Sequence, residues 1–303
     1  MNIQASGVLV VNKPSGPSSH DVVAQARRLF GTRTIGHAGT LDPMASGVLL
    51  LLVEEATKLS ALLTLEEKSY RATVRFGSTT DSDDAQGIPI DVRPVVRGWL
   101  TCFQLETALD FERNRREQVP PRVSAIKQDG VRAYKKHRRG ESVDIPARPV
   151  RVHELLVLAQ SDDEVTLSLS VSKGYYVRSL ARDLGARLGM PAHLAALCRT
   201  SSGCFKLAEA SPWPTTVIPQ LLDLTRVVKR TMPTRQLTSE GVLRARWGQQ
   251  LRPEHFHDGS DNNISFDESV TAAWLAEDDS LVALGCTETD GTSRVVRGFG
   301  CQR

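Results

Sequence analysis

The stretch Gly36-His37-Ala38-Gly39-Thr40-Leu41-Asp42-Pro43-Met44-Ala45-Ser46-Gly47 sets one carboxylate in a glycine-bordered loop beside an apolar run. Its glycines let backbone approach a ligand closely, and Pro43 biases Asp42 toward an extended conformation. A carboxylate presented in this way can do chemistry; equally, an Asp in such a loop can do no more than cap a turn. Two distant segments supply context. Lys68-Ser69-Tyr70 opens a strand with a ring that can stack on a base. Lys173-Gly174-Tyr175-Tyr176-Val177-Arg178 offers further rings and a guanidinium that can form a forked pair with a carboxylate, holding it ionised and oriented. Taken singly, each tyrosine can be packing and Arg178 a surface helix residue. Together, one carboxylate, one arginine and stacking rings point to chemistry on an extruded nucleobase.

The elements that must position these groups follow from periodicity. Gly7 to Val11 reads as a short buried strand, followed by a turn at Lys13 to Pro17. Ser18, with Asp21 three residues on, starts a helix running to about Phe30. The loop from Gly36 to Gly47 feeds the apolar strand Val48 to Val53. Tyr70 to Phe76 and Val165 to Val171 alternate like half-buried strands. Val177 to Leu188 has helical spacing, and Pro191 near a first position predicts another short helix to Leu197. Pro212 to Pro233 reads as the lead to a domain boundary, placing one domain at 1–232 and a second at 233–303. Strands without a regular βαβ rhythm predict an α+β fold with a mainly antiparallel sheet. The last seventy or so residues, with short strands at Leu281 to Gly285 and Ser293 to Phe299, fit a small β-barrel.

Composition narrows the function classes. At 303 residues the chain has room for two domains of about 150 residues each. Apolar residues make up 40% and charged residues 24%, which is globular usage. Val48 to Val53 is the longest apolar run, far short of the roughly twenty residues that span a bilayer. With no signal peptide expected, and five cysteines without a C-x-x-C pair, a reducing cytoplasm is the expected home. The net charge of +3 hides a dipole. Residues 113–151 carry twelve Lys/Arg against four acids, whereas residues 254–303 carry ten acids against three arginines. The basic arm is a reasonable footprint for nucleic acid or a solvated loop, with Arg132, Lys135, Lys136, Arg138 and Arg139 as its candidate backbone contacts. No G-x-G-x-x-G or P-loop is present, so no nucleotide cofactor is expected. Asp81 to Gly87 fails as a calcium loop, with Ala85 and Gln86 at the wrong positions, and His255, His257, Asp258 and Asp261 are not expected to hold a metal.

At these residues the chain closely resembles the TruB family of tRNA pseudouridine synthases. The resemblance is carried by GVLVVNKPSGPSSHDVV (7–23), GHAGTLDPMASGVL (36–49), ATK (56–58), KSYRATVRFG (68–77) and QVPPRVSAIKQDGVRAY (118–134). RRGESVDIPARPVRV (138–152) and SKGYYVRSLARDLG (172–185) continue it in family order. It covers residues 7 to about 205; the remainder resembles, more loosely, a PUA-like RNA-binding domain. The resemblance implies isomerisation of uridine 55 in the T-loop of tRNA, without cofactor or metal. Asp42 matches the family's nucleophile, which attacks either ribose C1′ or the base. Tyr70 matches the tyrosine that stacks on the target base and assists proton removal at C5, and Arg178 the arginine paired with the carboxylate. His37, Tyr176 and Leu197 match positions touching the flipped nucleotide or its strand, and Lys13 a support for the loop. A carboxylate suits the chemistry because it is ionised at neutral pH and later leaves readily.

Departures are few: Glu54 stands where the family commonly has Gly, Val123 replaces a common aromatic, and Tyr175 a smaller residue or Phe. None touches Asp42, Tyr70 or Arg178. A non-catalytic RNA-binding protein or tRNA folding chaperone is the rival of another class, and an isomerase of ribosomal RNA a third. The expected partner is the T-arm of tRNA. The chain is expected to be a monomer that touches no membrane, with no uncommitted apolar helix face.

Overall fold

The computed structural model of the chain describes residues 6–123, 127–128, 131–132, 145–257 and 271–300. Strands β1 (Gly7–Lys13), β2 (Ile35–Ala38), β3 (Ser46–Val53), β4 (Lys68–Phe76), β5 (Val152–Gln160), β6 (Glu164–Val171), β7 (Ala192–Ser202), β8 (Phe205–Lys206) and β9 (Ser211–Pro212) form one sheet. Its order is β5-β6-β4-β7-β3-β1-β9, with β2 beside β3 and β8 beside β7. Only the β3–β7 and β1–β9 pairs are parallel, so the sheet is mixed and mainly antiparallel within an α+β fold, as the sequence predicts.

The apolar run becomes β3 because a strand buried on both faces needs no polar alternation. Val48, Leu50 and Leu52 enter one apolar cluster, and Leu49, Leu51 and Val53 another. β6 behaves differently: Val165, Leu167, Leu169 and Val171 are buried while the residues between them are half-exposed. Those four pack with Val177, Leu180, Ala181 and Leu184 of a helix at Val177–Leu188. Three helices carry the site. α1 (Ser19–Phe30) starts at a capping box, with Ser18 Oγ accepting from Asp21 N and Asp21 Oδ2 accepting from Ser18 N, and ends at Gly31 with φ +67°. α2 (Cys102–Arg113) and α3 (Val177–Leu188) cover the sheet's β5–β7 half.

The helix predicted from Pro191 to Leu197 is not formed; the segment belongs to β7, between β4 and β3. Local signals, a proline at a first-turn position and three alanines, favour a helix, but the gap between two apolar strands overrides them. β7 absorbs irregular spacing through register shifts at Leu194/Ala196 and Arg199/Ser201.

After α4 (Leu224–Thr231) come strands β10 (Thr234–Gln236), β11 (Thr271–Leu275), β12 (Leu281–Thr287) and β13 (Ser293–Gly298), in that spatial order, with α5 (Ser239–Arg246) against them. Segment 251–256 bridges Ser293 of the last strand and Leu237 beside the first, which draws the two edges together as a small barrel requires. Ala273, Leu275, Leu284 and Phe299 share a continuous cluster with Val8, Val10, Leu50 and Leu52, so this C-terminal sheet packs directly on the body. Lys58 Nζ donates to Gly298 O (2.9 Å), and Lys229 pairs with Asp279 (2.8 Å), across the same seam. Among the described residues no helix is long and apolar enough to cross a membrane.

Candidate active site

The loop from Gly39 to Ala45 joins β2 to β3, and Asp42 stands at its middle; it is shorter than predicted at both ends, because Gly36 to Ala38 pair with β3 as β2 and Ser46 and Gly47 open β3. The loop is held by side chains from four directions. Ser19, in the first turn of α1, accepts from Leu41 N and donates to Leu41 O, both at 2.9 Å. Lys13, fully buried, donates to Pro14 O and Pro17 O at 2.8 Å and to Pro43 O at 3.4 Å. Ser15 Oγ donates to Met44 O at 3.0 Å. Arg199, 1% exposed on β7, donates to Val48 O (2.6 Å), Gly39 O (3.2 Å) and Thr40 O (3.4 Å). The entry to β3 needs glycine at Gly47, where φ is +104° and a Cβ would meet Arg199 O at 2.2 Å. Lys13 therefore supports the loop as expected. Burial, opposed by the Asp42 charge and aided by Arg199, lowers its ammonium pKa to about 8.

Arg178 reaches the loop from the first turn of α3. Its Nε lies 2.9 Å from Asp42 Oδ2, an ion pair without the alignment of a hydrogen bond, and 3.8 Å from Asp84 Oδ2. Nη1 donates to Ser82 O (3.0 Å) and Val123 O (2.9 Å). A cation at a helix N-terminus opposes the macrodipole; Asp42 and Asp84 offset that cost here. Arg178 is buried, whereas the Asp42 side chain is a third exposed, so the carboxylate remains open to a ligand. The Asp81–Gly87 segment that resembled a calcium loop is the clamp for this arginine. Ser82 Oγ and Gln86 N donate to Asp84 Oδ1 at 2.7 and 3.0 Å, presenting the Ser82 carbonyl inward. Among the described residues no three His, Cys, Asp or Glu side chains are placed to hold a metal.

The remaining residues singled out in the sequence fall as follows. Tyr70, on β4, stands between Leu169 of β6 and Arg199 of β7 and packs against the cluster that contains Leu41, Met44 and Leu197. Burial pushes its phenol above the ordinary range, against the pull of the Arg199 cation. Tyr176 is the residue before α3; burial and the Asp42 charge raise its phenol, and Arg178 opposes them. Its neighbour Tyr175 points elsewhere, donating to Glu112 Oε1 at 2.6 Å in the core. Leu197 is buried in the same apolar wall. His37, on β2, has its ring edge-on to His20 (5.4 Å between centroids). Burial, aided by His20 and Arg199, lowers its pKa to about 4, and its Nδ1 is buried without a hydrogen-bond partner among the described residues. Asp42, Arg178, Tyr70, Tyr176 and Leu197 are thus gathered at one place.

Of the basic arm, Arg132 lies in a two-residue ladder with its side chain outside the described residues, as are Lys135, Lys136, Arg138 and Arg139 altogether. The base of the arm is described: Glu117–Gln118 pairs with Arg148–Pro149, and Gln118 bonds both Tyr176 N (2.8 Å) and Tyr176 O (3.1 Å). Gln118, Asp84 and Arg199 were not singled out in the sequence. Arg199 was hidden by reading Pro191 to Leu197 as a helix, since a helix gives no reason to aim residue 199 at the loop.

A model of the TruB family pseudouridylate synthase N-terminal domain matches residues 27–177. The chain is 41% identical over 301 residues to tRNA pseudouridine synthase B of Mycobacteroides abscessus, covering 97% of this chain and 96% of that protein. The chain belongs to the TruB family of pseudouridylate synthases. Membership makes it an isomerase. The Nocardia farcinica protein of the same name is 47% identical over 253 residues, 82% of each chain. A solved H/ACA ribonucleoprotein bound to a substrate RNA containing 2′-deoxyuridine matches with a TM-score of 0.70 at 22% identity, over 97% of this chain and 85% of that one, which shows the shared fold. The family's usual Gly where this chain has Glu54 has a local cause: Glu54 adopts φ +53°, at the end of β3.

Proposed function

We propose that this protein isomerises uridine 55 in the T-loop of tRNA to pseudouridine, with Asp42 as its nucleophile. The observation that carries the reading is the Asp42–Arg178 pair, its arginine buried and its carboxylate a third exposed, walled by Tyr70, Tyr176 and Leu197. The names of the family's curated relatives support tRNA as the substrate. The uridine is extruded, Asp42 bonds to it covalently and the N1 glycosidic bond breaks; the base turns and rejoins the sugar through C5, and the bond to Asp42 then breaks, returning the free carboxylate. The C5 proton is lost and N1 gains one, so the product is an isomer and no redox or phosphoryl step enters. Arg178 holds the carboxylate ionised and aimed. Tyr70 stacks on the base; burial raises its phenol, which favours stacking and hydrogen bonding over service as a free phenolate base. The apolar wall keeps water from hydrolysing the intermediate. His37, neutral well below physiological pH, meets the extruded nucleotide as an uncharged ring.

The reading assigns catalysis to residues 1–232 and RNA contact to the arm at 113–151, with residues 233–303 as a PUA-like module. It takes the enzyme as a cytoplasmic monomer that uses neither cofactor nor metal. Because extruding the uridine opens the tRNA elbow, the same binding also gives misfolded tRNA a route to refold. The test is to map pseudouridine on a tRNA transcript after incubation, by carbodiimide modification and primer extension. One new stop, one nucleotide 3′ of position 55 and lost when that uridine is replaced by cytidine, is expected. A stop elsewhere, or none with tight binding, counts against the reading and favours a binding protein.

A further inference from the structure

Among the described residues Arg199 is the largest buried charged side chain that the reaction as described does not use. It is 1% exposed and donates to three main-chain carbonyls, Val48 O, Gly39 O and Thr40 O, and its guanidinium also shares a side-chain hydrogen bond with the buried Tyr70 phenol. Burying a guanidinium costs several kcal/mol unless its donors are satisfied, so a side chain that served only to fill space would be apolar. What the guanidinium adds is reach. Its planar fork reaches three acceptors from Nε, Nη1 and Nη2 at fixed angles, whereas the three donors of an ammonium all radiate from one atom.

Those acceptors flank one loop. Gly39 and Thr40 open it, Val48 lies near the start of the strand β3 that follows it, and Gly47 packs so closely on the Arg199 backbone that a Cβ would stand 2.2 Å from Arg199 O. Pairing of Arg199 with Gly47 in the β7–β3 ladder explains that approach. On its other side Arg199 is the register partner of Tyr70 in the β7–β4 ladder. One residue therefore touches the start of the Asp42 loop, the strand at its end, and the strand that carries Tyr70. The other holders of the loop, Lys13, Ser15 and Ser19, come from the β1–α1 side and make no such link.

We propose that Arg199 is a positioning residue: it fixes the Asp42 carboxylate relative to the Tyr70 ring by fastening the start of the Gly39–Ala45 loop, and the strand β3 at its end, to the Tyr70 strand. The inference rests on the functional reading above. A slack loop would leave tRNA binding intact, since Arg199 is out of reach of RNA, and would slow the chemical step, where a displacement of about 1 Å costs roughly a hundredfold.

The experiment compares wild type, Arg199→Lys and Arg199→Met in single-turnover pseudouridine formation, with tRNA Kd and thermal midpoint measured alongside. Arg199→Lys keeps the charge and loses the fork. Its rate is expected to fall at least about tenfold with Kd within about threefold of wild type, and Arg199→Met is expected to be slower still. A rate within about threefold of wild type in Arg199→Lys overturns the proposal, as does a rate loss matched by equal weakening of tRNA binding. Should Arg199→Met not fold, Arg199→Lys decides alone. An inactive wild type would defeat the functional reading; an active wild type with an unaffected Arg199→Lys would defeat only this one.

Discussion

Arg178 makes four contacts that no other side chain can make at once: Asp42, Asp84 and the carbonyls of Ser82 and Val123. Arg178→Lys keeps a cation but cannot span them, so kcat is expected to fall by about a hundredfold with tRNA Kd little changed. Steady-state kinetics with binding by filter retention checks this, and an unchanged kcat would mean the fork geometry is irrelevant. His37 makes a pH prediction. Its folded pKa of about 4 lies below the ordinary 6.5, so between those values the unfolded chain binds a proton that the folded chain refuses. His37 therefore withdraws stability as pH falls through that window. Denaturation midpoints at about pH 7 and about pH 5 should drop more for wild type than for His37→Gln; equal drops would assign the loss to other groups. At this scale the sequence was most informative. Asp42, Tyr70 and Arg178 stand out because the chemistry demands those side chains, whereas Arg199 and Asp84 act through backbone carbonyls and a loop, which leave no motif.

The elements explain why the site is rigid and where it is strained. The capping box at Ser18 and Asp21 seats α1 so that Ser19 grips Leu41, and the spacing that predicts this helix is the spacing that places the grip. Glu54 shows a local cost. A non-glycine residue in the left-handed region is strained by about 1 kcal/mol, offset in part by the Thr32 hydroxyl that donates to the Glu54 carboxylate. Glu54→Gly is expected to leave activity unchanged and to raise the unfolding free energy by up to about 1 kcal/mol, read from urea titration. A clear loss of stability would show that the Thr32 bond outweighs the strain. The strands β4 and β6 and the helix α3 were legible because each has one periodicity, and β3 because its unbroken apolar run suits a strand buried on both faces. β7 was not, because what makes Ala192–Ser202 a strand is its two neighbours, β4 and β3, more than a hundred residues away in sequence.

For the whole molecule, charge and packing divide the labour. Residues 113–151 concentrate positive charge, and the base of that arm is fastened by Gln118 to Tyr176, one residue from the helix that carries Arg178. If the arm grips phosphates, log K for tRNA should fall with log salt by about 0.9 per duplex phosphate neutralised. Replacing Lys135, Lys136, Arg138 and Arg139 together by alanine should flatten that slope without changing the single-turnover rate at saturation. An unchanged slope removes the arm from the interface. The C-terminal sheet, acidic overall, was foreseen as a separate appendage; its shared apolar cluster with β1 and β3 was not, because no local pattern reveals which faces two modules will bury together. The most direct test of the account is tritium release from tRNA labelled at uridine C5, measured for wild type and Asp42→Asn in parallel. One equivalent released per tRNA by wild type and none by Asp42→Asn, with tRNA bound equally by both, is the result expected. Release by Asp42→Asn at the wild-type rate would contradict the central claim, because the nucleophile would then have to be another group.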